Sequence, residues 1–556
     1  MTSRWSKVLG SLAAASGRFP LVVFAGLVGL VAALVLNHGS GNKDLENQCT
    51  RLMLAVIAAL PLGVAAGLVG EMRRVWRWFA LAAALALSVG VWFASPVEME
   101  TSAHAYRYAA ILIGAAALAS ALPGAAGNAA WWRWNVGMIQ AVVLAGILSG
   151  IVELGLQLAV FSVEKLFDLK FDKLHLDLFS FVAFVVAPLA VITLLPPAVE
   201  ESDGAVSASG FWEGLCKWVL MPLGFIFTAI LAVYAVTILV HRELPDGMVA
   251  MPVLSLGAYG TAALLLLQPW RDERAWARWF ARVYPAAFLV FSILMFLAIA
   301  ERIGAYGVTF ARYSALAFGL WFAVAALVFL LRAGRGSLLI TGLLALGAAV
   351  AALGPASAGT LSLRSQSERL RALLQSPAGD KDNAQILSSL KYLASNFGFA
   401  AVENVTGPLG LDAEKIRPWQ LPEAAMKKLG LETGGGTIKF EWSGDGAVPT
   451  EGFRFVYPIP RNNWTGRDLG KNAAGEPLAV KFRSGELAVF AGDGKVRELL
   501  PSAMLDLKSG TPASEPLRVS FSVEGREFCL VVLRAEVATK DGGPRLQQAD
   551  YLILEK

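Results

Sequence analysis

Residues Phe19 to Leu36 read FPLVVFAGLVGLVAALVL, 18 residues without a charge, preceded by Arg4, Lys7 and Arg18. A helix adds about 1.5 Å per residue, so this stretch is long enough to cross the ~30 Å hydrocarbon core of a bilayer. It is long for the apolar part of a secretory signal, and Asn37-His38-Gly39-Ser40 behind it offers no small-residue cleavage pattern. It therefore reads as an uncleaved first span.

Further runs of the same kind follow at Leu52 to Val69, Trp78 to Ala94, Tyr108 to Leu122, Val136 to Phe161, Leu178 to Leu195 and Trp218 to Val240. Met248 to Leu267, Pro285 to Ala300, Tyr313 to Leu331 and Ser337 to Leu353 bring the expected total to about eleven. None alternates like a strand, and helices satisfy their backbone groups internally in lipid, so the runs predict a helical bundle and not a barrel. Trp76, Trp78, Trp131, Trp132, Trp134, Trp212 and Trp218 fall near run ends, where amphipathic rings prefer the interface.

Composition agrees. Of 556 residues 56% are hydrophobic and only 16% charged, with a mean hydropathy of +0.56, outside the range of a water-soluble globule. Residues 364–556 hold 25 Lys/Arg and 24 Asp/Glu, more than half of all charges in about a third of the chain. The expected organisation is a transmembrane domain over 1–363 and a soluble C-terminal domain over 364–556. The net charge of +5 sits in short loops, which argues for topology signals and against a nucleic-acid surface. With the N-terminus cytoplasmic, inward loops collect fourteen basic residues against nine, and an odd number of spans sends the C-terminal domain outward.

The C-terminal part changes character. Asn383 to Asn396 and Pro422 to Gly430 read as helices, followed by strand signals at Thr437 to Trp442, Phe453 to Tyr457, Leu478 to Phe482, Leu487 to Phe490, Leu517 to Val523 and Glu527 to Leu533. Ser484-Gly485 and Glu524-Gly525 supply hairpin turns. The expected fold class is mainly α: a polytopic bundle of about eleven transmembrane helices with a C-terminal soluble α+β domain ending in an antiparallel sheet. Cys49, Cys216 and Cys529 show neither metal spacing nor a disulfide framework, although a Cys49 to Cys529 bridge stays open.

Three landmarks carry a family resemblance: Glu243-Leu244-Pro245-Asp246-Gly247, then Arg302-Ile303-Gly304-Ala305-Tyr306-Gly307-Val308-Thr309-Phe310-Ala311-Arg312-Tyr313, then Gly354-Pro355-Ala356-Ser357 running to Ser362-Leu363-Arg364-Ser365-Gln366. In their order and spacing the chain resembles the bacterial membrane-protein family catalogued as domain of unknown function 4153. The resemblance implies a polytopic protein of the bacterial inner membrane and brings no activity with it.

On the topology above, all three landmarks face outward, which places the C-terminal domain in the periplasm. Arg302 and Arg312 are forked cations beside Tyr306 and Tyr313, a set suited to phosphate or carboxylate head groups. Glu243 and Gln366 complete this candidate binding site. The simpler role for both arginines is to pin the loop to the interface. A second candidate lies inside the fifth span, where Glu153 is the only acidic residue in any of the eleven runs. Helical turns put Gly146, Ser149, Gly150, Glu153 and Gln157 within about a 100° arc, a polar and small face expected to pack against other helices. A carboxylate there is suited to gating a proton or cation.

Negative findings narrow the rest. The four histidines, His38, His104, His175 and His241, fall in apparent outer loops without ligand spacing and are expected to be solvated. The Ser162 to Asp177 loop reads as an amphipathic element on the membrane surface. Gly492-Asp493-Gly494-Lys495-Val496 lacks the spacer of a phosphate-binding loop, and no zinc-protease or serine-hydrolase motif occurs. No metal or cofactor is expected. The leading expectation is transport, or handling of an anionic lipid or other envelope component. A sensor or scaffold whose C-terminal domain binds an envelope protein is the alternative, and an integral membrane enzyme has the least support.

Overall fold

The computed structural model describes residues 2–39, 41–95, 101–197, 210–241, 250–332, 336–375, 380–411, 416 and 420–431, and beyond these the backbone path of segments between 437 and 555. Helices α1 (Thr2–Arg18), α2 (Pro20–His38), α3 (Lys43–Met72), α4 (Arg77–Ala94), α5 (Ser102–Ala121) and α6 (Asn128–Phe167) come first. One π turn at Val182–Val186 carries α7 (Asp172–Phe181) into α8 (Ala187–Leu194), and another at Leu215–Leu220 carries α9 (Gly210–Gly214) into α10 (Met221–His241). Then follow α11 (Ala250–Leu266), α12 (Ala275–Tyr306), α13 (Phe310–Leu331) and α14 (Ser337–Ala352). The last helices are α15 (Ala358–Gln375), α16 (Asp380–Phe397), α17 (Phe399–Thr406) and α18 (Leu421–Lys428).

Local chemistry sets several boundaries. Pro20 occupies the first turn of α2, where its missing N–H has no helical partner to lose. Asn42 caps α3 by accepting from the amides of Asp44 (3.0 Å) and Leu45 (3.3 Å), and Asp44 and Glu46 face the positive end of that helix. Asp168, at φ 52°, stops α6. The interval expected as a long amphipathic loop is therefore mostly helix, broken only between Phe167 and Asp172.

Lipid tails are as apolar as leucine, so close packing rather than exclusion from water holds the helices together. Gly63 and Gly67 of α3 show how. A Cβ on Gly63 would lie 2.9 Å from the Val22 side chain, and one on Gly67 would overlap the Phe19 ring, so α2 and α3 meet because both positions are glycine. Phe19 and Trp134 are fully buried in this part of the bundle. Arg18 closes the junction of α1 and α2 by pairing with Glu71 and donating to the carbonyls of Leu195 (3.1 Å) and Pro196 (2.9 Å). A second core collects Phe280, Phe288, Met295, Phe322 and Phe329 from α12 and α13, against Leu256 and Leu264 of α11.

The expected fold class needs correction in two places. Among the described residues nine helices, and not eleven, are long and apolar enough to cross a membrane; α11 and α14 have only 17 and 16 residues. Their apolar runs looked longer because flanking Leu267 and Leu353 lie outside the helices, while Met248 is outside the described residues. The chain is mainly α, and residues 2–431 contain no strand among those described. The C-terminal α+β domain ending in an antiparallel sheet is not supported. Segments expected to form one sheet fall into two separate backbone ladders, Pro477–Arg483 with Glu486–Phe490 in one and Leu517–Val523 with Arg526–Lys540 in the other. Alternating apolar residues define a strand's two faces, but a sheet domain also needs a layer that covers one of them, and alternation does not supply it. The expected hairpin turns at Ser484-Gly485 and Glu524-Gly525 lie outside the described residues.

Two compact units can be delimited, Met1–Arg371 with Lys391–Trp419, and Ala372–Leu390 with Gln420–Lys556. Cys49 is buried in the first as a free thiol.

Candidate functional site

The second landmark is less of a loop than its composition suggests. Arg302 and Tyr306 end α12, Arg312 and Tyr313 begin α13, and only Gly307-Val308-Thr309 lies between. Gly307 (φ +71°) stops α12 by donating to the Ile303 carbonyl at 2.8 Å. A Cβ there would also stand 2.8 Å from the Gln366 amide nitrogen, so glycine is required twice over. Thr309 caps α13, its hydroxyl accepting from the Arg312 amide at 3.4 Å.

Such a junction leaves helix-end carbonyls and amides without intrahelical partners. The third landmark supplies them. Gln366, buried at 3% exposure, donates its side-chain amide to the carbonyls of Tyr306 (2.9 Å) and Val308 (3.1 Å). The Ser365 hydroxyl accepts from the Val308 amide (2.9 Å), and Ser362 donates to the Val308 carbonyl (3.4 Å). Arg369 reaches the Ala305 carbonyl. From α16 the Tyr392 hydroxyl accepts from the Phe310 amide at 2.8 Å and meets the Ser362 hydroxyl at 2.6 Å. Burial pushes the Tyr392 phenol above its ordinary value, against the opposing pull of these hydrogen bonds. Tyr313 donates to the Ala356 carbonyl at 3.0 Å, so the Gly354 turn is held as well.

Four of the six proposed site residues meet here with Arg302 on the last turns of α12, and Glu243 lies outside the described residues. The Arg312 guanidinium donates to the carbonyls of Tyr306 (3.3 Å) and Gly307 (2.8 Å) and stands 5.5 Å from the centre of the Tyr306 ring. Arg369 approaches the same ring at 5.7 Å, and Arg302 is near enough to repel Arg312 electrostatically. Two guanidinium groups thus share one tyrosine, with Arg302 close to Arg312. Sequence reading missed Arg369, Ser362, Ser365 and Tyr392. A signal existed for three of them: Ser362, Ser365, Gln366 and Arg369 follow the i, i+3, i+4, i+7 spacing of one helix face.

Beside this clasp an apolar cleft of about 340 Å³ opens between α5, α13 and α14. Tyr106, Tyr313 and Ala358 line its end near the clasp, and Ile113, Trp321 and Leu343 line the other. The Tyr106 ring stacks on Phe310 with centroids 4.5 Å apart and planes 6° from parallel.

The second candidate is a polar chain between α6 and α7. Gln157 donates to Glu153 Oε1 at 2.6 Å and to the His175 carbonyl at 3.0 Å. The His175 ring meets the Gln157 side-chain oxygen through Nδ1 and Glu164 through Nε2 at 3.2 Å, and Glu164 accepts from the Phe171 amide at 2.7 Å. Glu153 Oε2 and the Ser149 hydroxyl are buried without a partner among the described residues. His175 is therefore a helical residue with partners and not a solvated loop residue, and His38 contacts Asp177 at 2.9 Å. Gly146 and Gly150 differ from expectation too: among the described residues nothing stands within 4 Å of a Cβ at either position, so no described helix packs onto them. Among the described residues no cluster of three His, Cys, Asp or Glu could hold a metal ion.

The family model for the domain of unknown function DUF4153 matches residues 22–392, well over half of the chain. The chain belongs to this family. No curated protein and no solved structure matches it. The DUF4153 match takes in both candidate sites and ends on Tyr392, the last side chain of the clasp, so the residues that join α12, α13, α15 and α16 all lie within the DUF4153 segment.

Proposed function

We propose that this membrane protein handles an anionic, lipid-like component of the bacterial envelope, moving or presenting it at the site formed by Arg302, Tyr306, Arg312 and Tyr313. The observation that carries this reading is the meeting of Arg312 and Arg369 on the Tyr306 ring, with Arg302 close to Arg312, next to Tyr313, which lines the end of an apolar cleft. Guanidinium groups suit phosphate oxygens by paired hydrogen bonds, and an aromatic ring packs on the adjoining carbon chain. In this reading the bundle sits in the inner membrane with its N-terminus cytoplasmic, and the 17-residue α11 crosses a locally thinned bilayer, which brings the clasp to the outer face. The polar chain at Glu153 serves as a place for a proton or cation within the same bundle.

The test is full-length protein in vesicles of mixed phosphatidylglycerol and phosphatidylcholine, with a fluorescent phosphatidylglycerol followed between leaflets or bound at the protein. Arg302→Gln and Arg312→Gln are expected to weaken selection of phosphatidylglycerol while the protein stays folded. Equal handling of both lipids by the unaltered protein overturns the reading. Thiol labelling of single cysteines placed at positions 246, 275 and 500 in intact cells tests the orientation.

A further inference from the structure

The cleft between α5, α13 and α14 is a slot with two different ends. Along α13 it runs from Tyr313 to Trp321, eight residues or about 12 Å. At the clasp end Arg312 is the chain neighbour of Tyr313 and lies against Tyr306. At the far end the lining is Ile113, Trp321 and Leu343.

Small residues create the space. Ala109 and Ala110 on α5, Ala317 on α13 and Gly347 and Ala351 on α14 line it. Nearby α5 and α14 do touch, since a Cβ on Gly114 would stand 3.3 Å from that of Ala348. At Gly347 nothing lies within 4 Å, so the gap continues down to the helix backbone. The aromatic wall is tied in place and does not collapse into the gap: Trp321 donates its indole N–H to the Ile340 carbonyl at 2.9 Å, and Tyr313 is held by Ala356. Water has few partners in so apolar a slot, and a void within a membrane forfeits dispersion contacts along its whole lining. A flexible hydrocarbon chain satisfies both conditions, and the cation cluster at one end complements an anionic head group.

Building on the lipid-handling reading, we infer that this cleft seats one acyl chain of an anionic phospholipid, with its head group at the Arg312 end and its chain running toward Trp321. The chain lies in the slot and the phosphate meets the cations beside Tyr306.

Full-length protein in vesicles containing phosphatidylglycerol with a photoactivatable diazirine on one acyl chain tests this, with cross-linked peptides located by mass spectrometry. The expected result is labelling concentrated on residues 106–113, 313–321 and 343–351, with most of it lost in Gly347→Leu, which fills the slot from a position with room for a side chain. Ala317→Leu does the same from the facing helix if the first variant fails to fold. Even labelling over all lipid-facing helices, or a concentration that both folded variants leave unchanged, overturns the chain site. A second arm carries the same diazirine on phosphatidylcholine. Stronger labelling by phosphatidylglycerol, lost in Arg312→Gln, supports the head-group assignment; equal labelling by both lipids at the cleft upholds the chain seat and overturns the anionic reading.

Discussion

Gln366 donates its side-chain amide to the Tyr306 carbonyl at 2.9 Å, joining the end of α12 to a helix that begins 52 residues later at Ala358. Gln366→Leu keeps the volume and removes the donor, leaving the Tyr306 and Val308 carbonyls without this partner. The expected loss is about 1–3 kcal/mol, the usual penalty for a buried acceptor left unmade. Thermal unfolding of purified protein measures it, and an unchanged midpoint would remove the clasp from the list of stabilising contacts.

Tyr392 gives that clasp an alkaline limit. Burial raises its phenol above the ordinary value, so the folded chain holds this proton more tightly than the unfolded chain does. The resulting stability is fully present below the ordinary tyrosine value and is lost as pH rises through the raised one. Tyr392→Phe should lower the thermal midpoint at neutral pH, since it removes the contacts to Phe310 and Ser362, and should flatten the decline that sets in as pH rises past the ordinary tyrosine value of about 10.

Two glycines separate packing from vacancy. A Cβ on Gly260 of α11 would overlap the Tyr284 ring of α12, whereas one on Gly150 of α6 meets nothing within 4 Å. Gly260→Ala is expected to destabilise by about 1–3 kcal/mol through overpacking, and Gly150→Ala to be neutral or slightly stabilising through helix propensity. Comparing the yield of folded, monodisperse protein and its thermal midpoint for the two variants decides the matter.

Glu153→Gln preserves an acceptor for Gln157 and removes the carboxylate. The fold should survive, with a midpoint close to that of the unaltered protein. In the proposed reading, the pH response of lipid handling in vesicles is lost. A variant that responds to pH as the parent does would take Glu153 out of the mechanism.

The bundle was legible because lipid forces long uncharged runs to be helices, and each of the eleven runs corresponds to an apolar helix. What the runs could not convey is where each helix ends: Leu267 and Leu353 are apolar without being helical, and the two helices they follow fall short of crossing length. The site was legible in part. Arg302, Tyr306, Arg312, Tyr313 and Gln366 stood out as landmarks, but their joint use depends on hydrogen bonds to backbone carbonyls, and a carbonyl looks the same at every residue. Gly146 and Gly150 show the converse, since their spacing is that of packed helices and no helix among the described residues lies against them. The sheet domain failed for a similar reason: the strand segments pair as hairpins along the backbone, but which hairpins join and what layer covers them are not written in alternation.

The shortness of α14 has its own consequence. Sixteen residues rise about 24 Å, several ångströms less than the ~30 Å hydrocarbon thickness. Leu346 and Val350 on this helix are exposed, and a bilayer around so short a span accommodates it by thinning locally, by snorkelling of flanking residues or by association. Where it thins, phospholipids at this flank of the protein face a shallower oily layer than elsewhere in the membrane. A head group crossing here meets a lower hydrocarbon barrier before any residue touches it.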